Sequence, residues 1–114
     1  MAAKNILVER RKYPRVSMLV LLDLYVDGEI NARGRGVITD LSLGGMALET
    51  KENFDVGETL VLRFKVVEGV NFAMEGEVVR KDKKLSTTGY GVKFFNIGFK
   101  QKIKLRNFIL ARVT

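Results

Sequence analysis

Two clusters of side chains in this sequence are chemically suggestive. The first is Glu9-Arg10-Arg11-Lys12-Tyr13-Pro14-Arg15, which sets Arg10, Arg11 and Arg15 within six residues and adds the charge of Lys12. A guanidinium is a planar fork of donors: it makes paired hydrogen bonds to a phosphate or to the O6/N7 edge of a guanine, and it stacks on flat bases. The same run would also serve as a basic tail that binds nothing in particular. The second cluster is Asp40-Leu41-Ser42-Leu43-Gly44-Gly45. Asp and Ser there suit a tight turn, through local hydrogen bonds to backbone, and Gly supplies a positive φ. The same types also fit a guanine. A carboxylate accepts from its ring N–H and amino group, while a Ser hydroxyl and a Gly amide can reach phosphate or base oxygens.

Much other chemistry is excluded. Cys and His are both 0, which removes disulfide scaffolds, zinc fingers, thiol chemistry and any nucleophile activated by an imidazole. An acidic metal site stays formally open, but nothing points to one. The carboxylates fall on outward strand positions and in turns, with no acid–base pair, so a protein without catalysis and without a cofactor is expected. Lys+Arg 20 against Asp+Glu 13 leaves +7, with a pI of about 9.9. That excess favours anionic partners, although a merely soluble basic surface would carry it too. The longest apolar run, Met18 to Leu22, falls far short of the ~20 residues that span a bilayer, and no export signal is recognisable. A cytoplasmic protein without membrane insertion is expected.

The elements that must position these clusters follow from period-2 alternation. Val16, Met18, Val20, Leu22, Leu24 and Val26 share one face, and Asp27-Gly28 reads as a hairpin turn. Ile30, Ala32, Gly34, Gly36 and Ile38 form the return face, their small residues suggesting close backbone approach. Gly44-Gly45 turns the chain into Met46 to Glu49. Leu60 to Val66 and Val70 to Val78 alternate cleanly, and Lys81 to Lys84 reads as a charged turn before Tyr90, Val92 and Phe94. Six short strands with turn signals every ~8–12 residues indicate an antiparallel β-barrel or a tightly curved sandwich. From Phe99 to Arg112 the spacing becomes helical, with Phe99, Ile103 and Leu110, plus Leu105 and Ile109, as the apolar side capping the barrel. Among them, Lys100, Lys102, Lys104, Arg106 and Arg112 form a basic run that reads as a solvated face. Residues 1–15 form a flexible basic arm and residues 16–114 the barrel with its helix, a single domain of 114 residues.

On that fold, Arg11-x-x-x-Arg15 followed by Asp40-x-Ser42-x-x-Gly45 resembles the PilZ domain family of bacterial cyclic di-GMP receptors. Tyr90-Gly91-Val92-Lys93-Phe94-Phe95 looks like that family's last core strand, and the resemblance runs from about Glu9 to the end. It implies a six-stranded antiparallel β-barrel with a basic N-terminal arm and a C-terminal helix, taking cyclic di-GMP as ligand. It implies further that Arg11 and Arg15 grip guanine edges and phosphates. Asp40 and Ser42 would hydrogen-bond a guanine and orient the arginines, and Gly45 would close the turn beneath. Arg10 occupies a variable position before the motif, where a further guanidinium could stack on a second ligand molecule. Arg80, from a later strand, is a further candidate.

The resulting expectation is a stand-alone receptor and adaptor. Its arm changes conformation when the ligand neutralises it, and its signal passes to an unidentified protein effector. The alternative within the same fold is an interaction module that binds no nucleotide. The intact Arg11, Arg15, Asp40, Ser42 and Gly45 argue against it. Binding of RNA or single-stranded DNA is disfavoured, because Phe64, Phe72, Tyr90 and Phe94 alternate with aliphatic core positions and Trp is 0.

Overall fold

Alternating apolar and polar residues are realised as six strands. In the computed structural model, which describes residues 14–26, 28–67 and 69–113, they are β1 (Arg15–Val26), β2 (Gly34–Ser42), β3 (Gly45–Thr50), β4 (Thr59–Val67), β5 (Val70–Lys83) and β6 (Thr88–Phe95), followed by helix α1 (Phe99–Val113). The strands close into an antiparallel barrel in the order β1-β2-β3-β6-β5-β4. Closure gives every strand two hydrogen-bonded neighbours, with β1 and β5 paired to one neighbour along one half and to the other along the rest, overlapping at residues 22–24 and 75–77. The inward positions form one core, with Leu24, Ile38, Leu41, Leu60, Leu62, Val78 and Tyr90 fully buried. Phe64 and Phe72, partners across β4 and β5, stack with ring centroids 5.2 Å apart.

Two devices seal the barrel. The 51–58 loop folds back with Phe54 fully buried, its ring edge-on to Tyr90 at 5.6 Å. The Tyr90 hydroxyl accepts from Phe54 N at 2.8 Å and donates to Glu52 O at 2.9 Å, so one phenol pins the whole loop. On β5, the backbone before Glu75 runs beyond the end of β6. There α1 substitutes side chains for a strand: Gln101 Oε1 accepts from Ala73 N at 2.9 Å, and Lys104 Nζ donates to Asn71 O at 2.6 Å.

Four local expectations need correction. β2 begins only at Gly34, so Ile30, 92% exposed, and Ala32 do not extend its inward face. Residues 28–33 instead belong to a longer link, tied down by Arg33 N to Leu24 O at 2.7 Å. Asp27 of the expected hairpin lies outside the described residues. β5 continues to Lys83, and the turn falls after it, closed by Lys84 N to Thr87 O at 2.9 Å. α1 buries Leu105, Phe108 and Ile109, while Phe99, Ile103 and Leu110 are exposed, because the helix carries two apolar faces and docks by the second. Finally, β1 begins at Arg15, which places that arginine on the barrel rather than in the arm.

Among the described residues no helix is long and apolar enough to cross a membrane. None of them group three or more metal-ligating side chains.

Candidate functional site

The start of β1 lies beside the end of β2: Arg15 is opposite Ser42, and Ser17 is opposite Asp40. Leu41 points into the core, so Asp40 and Ser42 on either side of it face outward. Arg15 Nη1 meets Asp40 Oδ2 at 3.2 Å, with the two side chains 47% and 25% exposed. The ladder is irregular on both sides of Asp40, between Ile38 and Asp40 towards β3 and between Ser17 and Val20 on β1. Such bulges re-aim side chains. One consequence is that Asp40 Oδ1 is buried and has no hydrogen-bond partner among the described residues. An acceptor in that state is costly unless something donates to it.

Ser42 builds the turn. Its Oγ accepts from Gly44 N at 3.3 Å and Gly45 N at 3.2 Å, and donates to Gly45 O at 3.2 Å. The hydroxyl proton is thereby committed to backbone. Gly45 is required by close approach: a Cβ there would sit 2.1 Å from Val92 O on β6, a backbone atom that cannot swing away. Phe94 N donates to Gly44 O at 2.9 Å and completes the seam. Arg10 and Arg11 lie outside the described residues.

Register extends the site across the barrel wall. Asp40 is opposite Ala47, Ala47 opposite Gly91, and Gly91 opposite Arg80, so these four share the outer face in one row. The adjacent row reads Arg15, Ser42, and then Gly45 opposite Lys93. Gly45, Ala47 and Gly91 thus leave a low platform with Arg15 and Asp40 at one side and Lys93 and Arg80 at the other. The Arg80 guanidinium lies over Gly91, where an added Cβ would come within 3.2 Å of its Cζ. Another bulge, between Val78 and Arg80, turns Arg80 outward. The structure therefore brings together Arg15, Asp40, Ser42, Gly45 and Arg80. Sequence reasoning passed over Lys93, although its outward position between Val92 and Phe94 was a usable signal.

The architecture is a closed six-stranded antiparallel barrel followed by a C-terminal helix, with an Arg–Asp pair beside a Ser-Gly turn on its outer face. The PilZ domain family model matches residues 9–111, and the chain belongs to that family. Among solved structures it is similar to the PilZ domain with c-di-GMP of YcgR from Escherichia coli, at 17% identity and a TM-score of 0.75, covering 91% of this chain and 92% of that one. The inhibitor of motility MotI/DgrA of Bacillus subtilis matches at 21% identity and a TM-score of 0.74, over 91% of this chain and 51% of that one. The MrkH–c-di-GMP complex of K. pneumonia matches at 17% identity and a TM-score of 0.72, over 91% and 52%. The chain thus spans nearly all of the first and about half of the other two. At these identities the likeness establishes a shared fold. Among curated proteins no sequence matches the chain.

Proposed function

We propose that this protein is a receptor for cyclic di-GMP that performs no catalysis and passes its bound state to a separate protein. The observation that carries the reading is Asp40: one carboxylate oxygen is held by Arg15, while the other is buried and unpartnered among the described residues. It stands at the edge of a platform low enough to admit a flat ring. A guanine offers that oxygen its ring N–H and amino group, and cations on both sides of the platform suit the two phosphates. The family supports the reading, as do the YcgR domain and MrkH, whose structures hold c-di-GMP.

In this reading Arg15 presents its fork to a guanine edge or phosphate, and Arg11, four residues earlier, supplies the second fork. Ser42 and Gly45 act through the turn that sets Asp40 and β6 in place. Arg10 stacks on a second ligand molecule, giving two per chain. Two bidentate arginine contacts at roughly 1–3 kcal/mol each, with the Asp40 contact, are compatible with about 8 kcal/mol, or micromolar binding. Ligand binding reorders residues 10–15, and their amide exchange is expected to slow on saturation.

Isothermal titration with cyclic di-GMP, beside Arg15→Ala and GTP, tests the proposal. Saturable binding that is at least tenfold weaker in the variant and absent with GTP is the expected result, and its stoichiometry decides the role of Arg10. Absence of both heat and a melting shift would overturn the receptor reading and leave a PilZ barrel that works only as an interaction module.

A further inference from the structure

A second basic surface lies elsewhere on the barrel. An open cleft of about 760 Å³ runs over the outer face of β2, β1, β4 and β5 and ends against α1. It is reached from Arg15 by following β1 for about 20 Å to Leu21. Among the described residues charge there is one-sided: Arg35, Arg63, Lys65 and Lys104 line the cleft with one carboxylate, Asp23. Asp23 lies in register between Arg35 and Arg63 and bonds Arg35 Nε at 3.2 Å. The Arg63 guanidinium rests over the Tyr25 ring at 5.3 Å. An aliphatic element accompanies the cations, since Leu21 lines the cleft at 66% exposure and Leu19, two residues before it, is 81% exposed.

We infer that this cleft docks an acidic segment of a partner protein, with carboxylates meeting Arg63 and Lys104 and an aliphatic side chain covering Leu21. Charge complementarity selects the occupant. A second copy of this basic chain would bring like charge to it, and a nucleic acid would need ring faces on which to stack bases. The rings here offer none: Tyr25 is covered by Arg63, Phe72 is buried beneath Lys104 at 4.8 Å, and Phe64 is buried. Exposed aliphatics flanked by cations instead match a peptide that mixes Glu with Leu.

The test uses the full chain without cyclic di-GMP, so it stands or falls separately from the receptor reading. A fluorescein-labelled, end-blocked peptide in which Glu, Leu, Glu and Glu alternate with Ser places all four on one side of an extended strand, about 6.6 Å apart. Its binding is followed by anisotropy, against a Lys-for-Glu peptide and a single-stranded oligonucleotide of equal charge. The expected result is saturable, salt-sensitive binding of the acidic peptide only. Arg63→Glu and Leu21→Asp should each weaken it at least tenfold, and Leu85→Asp, at a fully exposed turn position, should leave it unchanged. Melting curves confirm that all three variants are folded. No binding, equal binding to all variants, or an oligonucleotide bound as tightly and lost in the same variants would overturn the inference.

Discussion

Replacing Asp40 by Asn separates what this carboxylate does for the fold from what it does for the ligand. In the free protein its side chain bonds, among the described residues, only Arg15, at 3.2 Å between side chains that are 47% and 25% exposed. A partly exposed pair of that kind contributes about 0–1 kcal/mol, so melting should fall by no more than about 5 °C. At the buried, unpartnered Oδ1 position Asn still places an amide oxygen or NH2, but without the charge, which is cheaper to bury and offsets part of that loss. The bound state differs. A charged carboxylate accepting from guanine contributes about 1.5–3 kcal/mol, which corresponds to a loss of roughly 10–150-fold in affinity on substitution.

Calorimetry on wild type, Asp40→Asn, Arg15→Ala and the double variant distinguishes direct contact from positioning. If Asp40 served only to orient Arg15, the Asn substitution would have no further effect once Arg15 is Ala. If it meets the base, most of its effect survives in that background. Unchanged affinity in Asp40→Asn, with Arg15→Ala still defective, would refute the assignment of Asp40 to the guanine.

Further outcomes follow from individual contacts. Tyr90→Phe strands Phe54 N and Glu52 O and should cost about 1–3 kcal/mol, read as a melting drop of roughly 5–15 °C. Gly45→Ala forces a Cβ against Val92 O, and the overpacking should cost about 1–3 kcal/mol or more, visible in urea unfolding without ligand. Arg80→Ala, at an exposed side chain, should leave melting unchanged but weaken cyclic di-GMP by roughly tenfold, as one lost charge-assisted contact. Hydrogen bonding and charge from Lys84 hold the Glu49 carboxyl below its usual value. Its contribution to stability is therefore full above that usual value and is lost as pH falls through the lowered one. Hence the melting gap between wild type and Lys84→Ala should be present near about pH 7 and narrow as pH falls through the lowered value.

The barrel was legible because its signal is local: most strands carry inward apolar residues at every second position, and Leu60 to Phe64 or Phe72-Ala73-Met74 can be read without knowing their neighbours. The helix was legible as a helix but not in its docking. Phe99, Ile103 and Leu110 are as apolar as Leu105, Phe108 and Ile109, and only the barrel end decides which stripe is covered. The link at residues 28–33 was misread because Ile30 and Ala32 continue the alternation by accident of composition, whereas the backbone departs to bond Arg33 to Leu24. At the site, Arg15, Asp40, Ser42 and Gly45 were all visible as a motif. That the Ser42 hydroxyl is spent on the turn, and that Gly45 serves β6, depends on contacts across strands far apart in sequence.

The same distinction explains where the candidate site lies. A barrel of uninterrupted period 2 would put Arg80 on the same face as Val78, in the core, and would pair every residue of β2 with neighbours on both sides. Three of the four register irregularities break that order, between Ser17 and Val20, between Ile38 and Asp40, and between Val78 and Arg80. The first two set Asp40 outside the alternation with one oxygen unsatisfied among the described residues, and the third swings Arg80 over Gly91. The bulge between Ile38 and Asp40 also serves the core, because Ile38 and Leu41, three residues apart, could not both turn inward on a regular strand and are both fully buried. The same departures that keep the core filled thus deliver a carboxylate and a guanidinium to opposite sides of one platform, the place where the proposed ligand would lie.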